Sequence, residues 1–349
     1  MKQRIAVILL FAAGLQTLMA QDATVTPSAE TFLDRVEGGL VVGSTGVGLE
    51  ITAPLADFVQ LRAGYTFVPA VQMPYAVTIP GSDAAPTYDE EGELVPNTFN
   101  RLTTLLQDMT GCEVDDQFSA IATPHFRNFR LLADFYPVSS YRHWHLTAGF
   151  LWGTSTIGTL VNAPEEAPFT VALNTYNRTY DKALNDDPLI SYGDFDLYNL
   201  TLSQKVLDHG RLGVEMGQRV ADGTPYILEP DEQGTIQATM QVNAFKPYLG
   251  TGYEAYLLPR SNQWIFSVEV GALLWGGAPR VLVSDRVRTL AEKVDEYGYT
   301  YTEWDYSTTT LDLVRDVRNV PGRPGELLSH VSRLKVYPVI ELRLSRRLF

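Results

Sequence analysis

The sequence predicts an all-β protein: an antiparallel transmembrane β-barrel of about ten strands, within a range of eight to twelve. Three observations predict it. Segments of about ten residues alternate apolar and polar side chains with a period of two, which is one face per parity of a strand. The connections between them alternate between short and long. The chain also opens with an export segment, and no comparably long apolar run follows it.

The first twenty residues read as a signal peptide. Lys2 and Arg4 precede IAVILLFAAGL, and the sequence turns polar after Ala20–Gln21, the expected cut. Residues 21–37 form a flexible N-terminal segment, and 38–349 form the barrel. The 349-residue chain carries a net charge of -14, with 45% hydrophobic and 19% charged residues. Mean hydropathy is -0.06 and the pI is about 4.8. The acidic balance excludes a nucleic-acid partner, which needs clustered Lys and Arg. The single cysteine, Cys112, excludes an internal disulfide framework.

The clearest element is the hairpin from Gly46 to Phe67. Val47, Leu49, Ile51 and Ala53 share one parity against Gly48, Glu50 and Thr52. After a turn at Pro54–Asp57, Val59, Leu61, Ala63, Tyr65 and Phe67 oppose Gln60, Arg62, Gly64 and Thr66. Length and alternation suit a membrane-spanning hairpin. Gly38–Gly43 precedes it as a short strand, with Ser44–Thr45 as a turn. GSTGVG lacks the GK[ST] ending of a phosphate loop, and no helix follows.

Residues 70–125 form a Pro-rich, acidic insertion. Within it Phe99, Leu102, Leu106 and Met109 recur at helical spacing between a cap at Asn97 and a stop at Gly111. Alternation returns in Phe126–Tyr136 and Trp144–Gly153, joined by a turn near 137–143. A second insertion covers 160–192. Two further strands are expected at Leu197–Val206 and Leu212–Gly217 around the turn 207–210, and a third insertion at 221–242. Then come strands from Phe245 and Trp264 with a turn at 257–262. The last insertion, 284–332, carries a helix starting at Ser284 with Val287, Leu290 and Val294 on one face. The closing strand sets Val336, Ile340, Leu342 and Leu344 against Glu341, Arg343, Ser345 and Arg347. A bulge near Arg346 would bring Phe349 into phase with the apolar set.

Short turns at one end and long loops at the other are the pattern of transmembrane barrels, periplasmic and extracellular respectively. On these features the sequence resembles the outer-membrane β-barrel proteins of Gram-negative bacteria. The resemblance rests on the signal peptide, the GVGLEITAPLADFVQLRAGYTF hairpin, the turn and loop rhythm, and the terminal aromatic. It implies outer-membrane localisation, insertion by the barrel-assembly machinery with Phe349 as the assembly signal, and contact with lipid and lipopolysaccharide. Extracellular protein or glycan partners would meet the long loops.

With the apolar parity turned to lipid, the other parity fills the lumen. It supplies Glu50, Asp134, Glu215, Glu254, Glu269 and Glu341, and also Arg62, Arg130, Lys205, Lys246, Arg343 and Arg347. Buried charges of opposite sign pair, because an unpaired one is costly. A barrel this narrow therefore reads as a plugged, charge-paired scaffold carrying interaction loops. The alternative is a narrow pore for small solutes. A remote alternative is a hydrolase using His125 or His330 at the outer rim beside Asp186 or Asp187, while His143, His145 and His209 fall by periplasmic turns. No catalytic motif, cofactor or metal-ligand spacing stands out. Tyr65, Phe67, Tyr136, Trp144, Trp152, Tyr256, Trp264 and Trp275 suit interfacial aromatic girdles.

Overall fold

A computed structural model describes residues 36–348 apart from 79–86, 89–91, 96–99, 101–102, 105–106, 108–116, 139–142, 189, 193–194, 232, 259–260 and 295–296. The signal peptide, Cys112 and Phe349 lie outside the described residues. So does most of the helix expected over 99–109, of which Asn100, Thr103, Thr104 and Gln107 are helical.

In chain order the strands that matter are β1 (Glu37–Gly43), β2 (Gly46–Ala56), β3 (Val59–Phe67), β4 (Met73–Thr78), β5 (Gln117–Pro124), β6 (Arg127–Phe135), β7 (Trp144–Gly153) and β8 (Thr156–Asn162). They continue with β9 (Val214–Arg219), β10 (Pro225–Leu228), β11 (Gln237–Gln241), β12 (Phe245–Leu258), β13 (Ser261–Leu274), β14 (Arg280–Val294), β15 (Thr300–Asp312), β16 (Val317–Arg318) and β17 (Val336–Arg347). Helices α1 (Ala167–Leu184), α2 (Leu200–His209) and α3 (Gly322–Arg333) sit among them.

Eight strands, β1, β2, β3, β6, β7, β12, β13 and β17, close into a barrel. Closure is made by β17 on β1, from Glu37 opposite Arg347 to Gly43 opposite Glu341. All neighbours are antiparallel, and closure leaves the barrel without a free sheet edge. The count is eight where ten was expected, because 197–206 and 212–217 do not enter the barrel. The first is helix α2, and the second is strand β9 of a separate three-stranded sheet with β10 and β16. Residues 207–210 accordingly end a helix and turn no hairpin, and 154–244 is one excursion instead of two loops.

The short connections at the terminus end lie between β2 and β3, β6 and β7, and β12 and β13. The first is tighter than expected, Asp57–Phe58, with a register irregularity between Pro54 and Ala56. At the opposite end Ser44–Thr45 joins β1 to β2, as expected, and three long excursions leave the barrel. The register of β17 with both neighbours is unbroken through Arg346, so the bulge expected there is absent.

The staves do not stop at the rim. After short breaks they continue into a six-stranded sheet ordered β15-β14-β11-β8-β5-β4, repeating the neighbour order of the barrel below. At one break Gly276 and Gly277 have φ of 74° and 148°, a region open to glycine. A Cβ on Gly276 would also lie 2.0 Å from the Asn243 amide nitrogen. The helix expected from Ser284 is instead part of strand β14, a long hairpin arm with β15. Helices α1 and α2 pack on each other through Leu173, Tyr176, Ala183 and Val206.

Candidate functional site in the barrel lumen

Side chains sort by parity as the hairpin pattern demands. Leu49, Ile51, Leu146, Leu249, Val270, Ile340 and Leu342 are exposed on the barrel exterior. Between them, Glu50, Arg62, Arg130, Asp134, Glu269, Glu341 and Arg343 are buried, none more than 4% exposed. The barrel thus buries its ions and exposes its aliphatics, the reverse of the usual arrangement of a water-facing sheet.

Arg62 on β3 is the hub. Its Nε lies 2.9 Å from Asp134 Oδ2 and its Nη2 2.6 Å from Glu269 Oε2, while Glu50 Oε1 is at 3.5 Å. Glu50 and Arg62 are diagonal neighbours, since Thr52 faces Arg62 and Glu50 faces Gly64. Arg130 bridges Glu50 (3.1 Å) and Glu341 (2.7 Å). Arg343 joins Glu50 at 3.2 Å and also contacts Glu254. Hydroxyls fill the remaining carboxylate valences. Thr147 donates to Asp134 (2.8 Å), Thr45 to Glu341 (2.5 Å), Tyr248 to Glu269 (2.6 Å) and Tyr136 to Glu254 (3.1 Å).

His145 is fully buried in the same layer, 3.7 Å from Glu269 Oε2 and 4.0 Å from Glu254 Oε1. Asp134, His145 and Glu254 offer ligand atoms within 4.8 Å of one another. Arg62 and Arg343 already occupy those carboxylates, so a cation there would displace guanidinium groups. Glycines on the inward parity make room for the rings. A Cβ on Gly271 would lie 2.3 Å from the Tyr248 hydroxyl, and one on Gly252 2.5 Å from His145 Nε2.

Other expected lumen residues are placed differently. Lys246 is buried, but its ammonium donates to Asn128 Oδ1 (2.9 Å) and to the carbonyls of Thr154 and Ala244, not to a carboxylate. Arg347 is half-buried at the terminus end and reaches Tyr256. Lys205 and Glu215 are exposed and outside the barrel, on α2 and β9. Asn199 explains the first error. Its side chain accepts from Leu202 N and caps the helix, and Leu202 and Val206 stand at i, i+4 as readily as on one face of a strand.

Sequence parity also missed a second layer. Leu132, Leu151, Tyr248, Leu273 and Val339 are inward and buried, and with Phe126, Val242 and Trp275 they form an apolar plug. Trp275 stacks on Tyr337 at 5.1 Å, and Tyr136 points inward, so neither belongs to a girdle. Tyr65, Phe67, Trp144, Trp152 and Tyr256 are exposed at the barrel surface, and Trp264 is partly exposed beneath Arg346. His125 bonds Thr159 at 3.0 Å. Among the described residues, neither His125 nor His330 pairs with Asp186 or Asp187. His209 ends α2, which is not part of the barrel.

No protein-family model and no curated protein matches the chain. Among solved structures, Acinetobacter baumannii CarO2 is similar at 14% identity and a TM-score of 0.35, covering 89% of this chain and 97% of that one. A. baumannii CarO gives 12% identity and a TM-score of 0.35, over 91% and 100% of the two chains. A major outer membrane protein from Thermus thermophilus gives 12% identity and a TM-score of 0.29, over 90% and 100%.

Proposed function

We propose that this chain is an integral outer-membrane β-barrel with a closed lumen, a membrane scaffold that carries a structured surface layer for interaction. The observation that supports it most is the inversion of polarity. Large aliphatic side chains such as Leu49 (69% exposed) and Ile340 (59%) cover the barrel, while Arg62 and Arg130 are 1% exposed inside it. Charge on a lipid-facing midplane position costs about 2–4 kcal/mol, and the sequence keeps it inward. The closed lumen follows from the two layers, since an ion must pass both an apolar plug and three guanidiniums locked to carboxylates. Fractionation with heat-modifiable gel migration tests membrane insertion. Recovery of the mature chain from the soluble periplasm would contradict it.

A second reading, a narrow pore for small solutes, has one specific observation behind it. The inward carboxylates Glu37, Glu50, Asp134, Glu254, Glu269 and Glu341 outnumber Arg62, Arg130, Lys246, Arg343 and Arg347, six against five, so any path would favour cations. Planar-bilayer recording on the purified protein separates the readings. The closed scaffold gives no reproducible steps; cation-selective steps altered by Glu269→Ala would favour the pore.

A further inference from the structure

Above the barrel, the six-stranded sheet meets helix α1 where Phe118 faces Phe169, and meets helix α3 where Leu328 packs by Val283, but the three do not fill the space between them. They leave an open cavity of about 550 Å³. Its floor is the sheet, with Ala120, Leu160, Ala238 and Val283 lining it, and Leu173 of α1 and Leu328 of α3 line it as well. Protein interiors close such spaces to near-crystal density, and an apolar cavity holds water poorly. The volume is that of a small-molecule site.

Two features narrow the occupant. The lining is almost wholly apolar, and among the described residues Arg323 is its one charged side chain. Arg323 is exposed, and among the described residues it has no carboxylate partner. It stands in the first turn of α3, where a cation opposes the helix dipole and so does nothing for the helix. Beside it Leu327 is 51% exposed, as are Met73 (51%) and Tyr75 (48%) on the outermost strand β4, so apolar surface reaches the opening. An apolar interior with one cation is complementary to a hydrocarbon chain ending in an anion.

We propose that this cavity binds a single-chain amphiphile with an anionic head group, the chain lying between the sheet and α3 and the head group on Arg323. A free fatty acid and a lysophospholipid share that chemistry. The cavity lies outside the barrel, so the proposal stands whether or not the lumen conducts.

The test uses the full protein in nanodiscs of zwitterionic lipid, titrated with the fluorescent fatty acid cis-parinaric acid. The proposal expects saturable binding, weakened about fivefold or more by Arg323→Gln, a surface change that leaves heat-modifiability intact. The methyl ester of the probe should bind both proteins alike. Ala238→Phe, which fills the floor, should abolish binding of acid and ester, and Ala120→Leu serves if that variant fails to fold. Competition by palmitate or by an anionic lysophospholipid then assigns the source, and either result supports the site. Non-saturable uptake, or binding unchanged in both the Arg323 and the cavity-filling variants, would overturn it.

Discussion

Arg62 holds the lumen through Asp134 and Glu269 more than through Glu50, at 2.9, 2.6 and 3.5 Å. Arg62→Leu strands those buried carboxylates without their cation, at a cost of about 3–5 kcal/mol. We expect Glu269→Leu to recover much of that loss in the double variant, and Glu50→Leu to recover less, because Glu50 keeps Arg130 and Arg343. Denaturant unfolding of the refolded barrel reads both cycles, and additive losses for Arg62 and Glu269 would contradict the pairing. Gly271→Val tests the glycine cleft beneath Tyr248. It should cost about 1–3 kcal/mol by overpacking and break the Tyr248–Glu269 hydrogen bond. The charged residues of the hairpin were legible because Glu50 and Arg62 sit on one parity of a strictly alternating segment. The plug was not, because Leu132, Leu151 and Leu273 put apolar side chains on the parity that marked the lumen.

At the scale of elements, the surface layer is tied together by ions as well as by apolar packing. Asp181 of α1 accepts from Arg211, from Arg288 at 3.3 Å and from Tyr306 at 2.8 Å, and its carbonyl accepts from Trp304 at 2.7 Å. Arg211 and Arg288 also reach Glu229, at 3.4 and 3.9 Å. Arg219 and Asp285 form a two-point pair at 2.8 Å that fastens β9 to β14. Burial pushes the Glu229 carboxyl up to about 7, with repulsion from Asp181 adding and Arg211 offsetting. The unfolded chain loses this proton near 4.5, so between the two values only the folded layer holds it. Stability of the layer therefore falls as pH rises from about 4.5 to about 7 and levels beyond. Glu229→Gln should flatten that slope in hydrogen-exchange protection of α1 and β15, and an unchanged slope would assign it elsewhere. The strands of the surface sheet were misread where two periods compete. Val287, Leu290 and Val294 fit a helical stripe, yet β14 pairs with β15 from Leu282 opposite Asp312 to Val294 opposite Thr300. Helix α2 was misread the other way.

The whole molecule is a barrel whose staves run on past the rim into a second sheet, so the second layer inherits its order from the barrel. The barrel was legible because alternation and turn placement follow from the two unlike faces of each stave. Its strand count was not, since the long excursion 154–244 contains segments that alternate without joining the barrel. The folded barrel should migrate faster than the heated chain on a gel, and loss of that shift after Arg62→Leu would mark Arg62 as needed for closure. The most direct test of the account is lipid contact by parity. With Cys112→Ser as background, single cysteines at Ile51, Leu146 and Ile340 and at Thr147, Ser267 and Ser345 would carry a bimane label in vesicles containing a nitroxide lipid. The first three should be quenched strongly and the second three little. Equal quenching of both sets, or quenching of the second set alone, would contradict a barrel that turns its aliphatic side chains to the membrane and its charges inward.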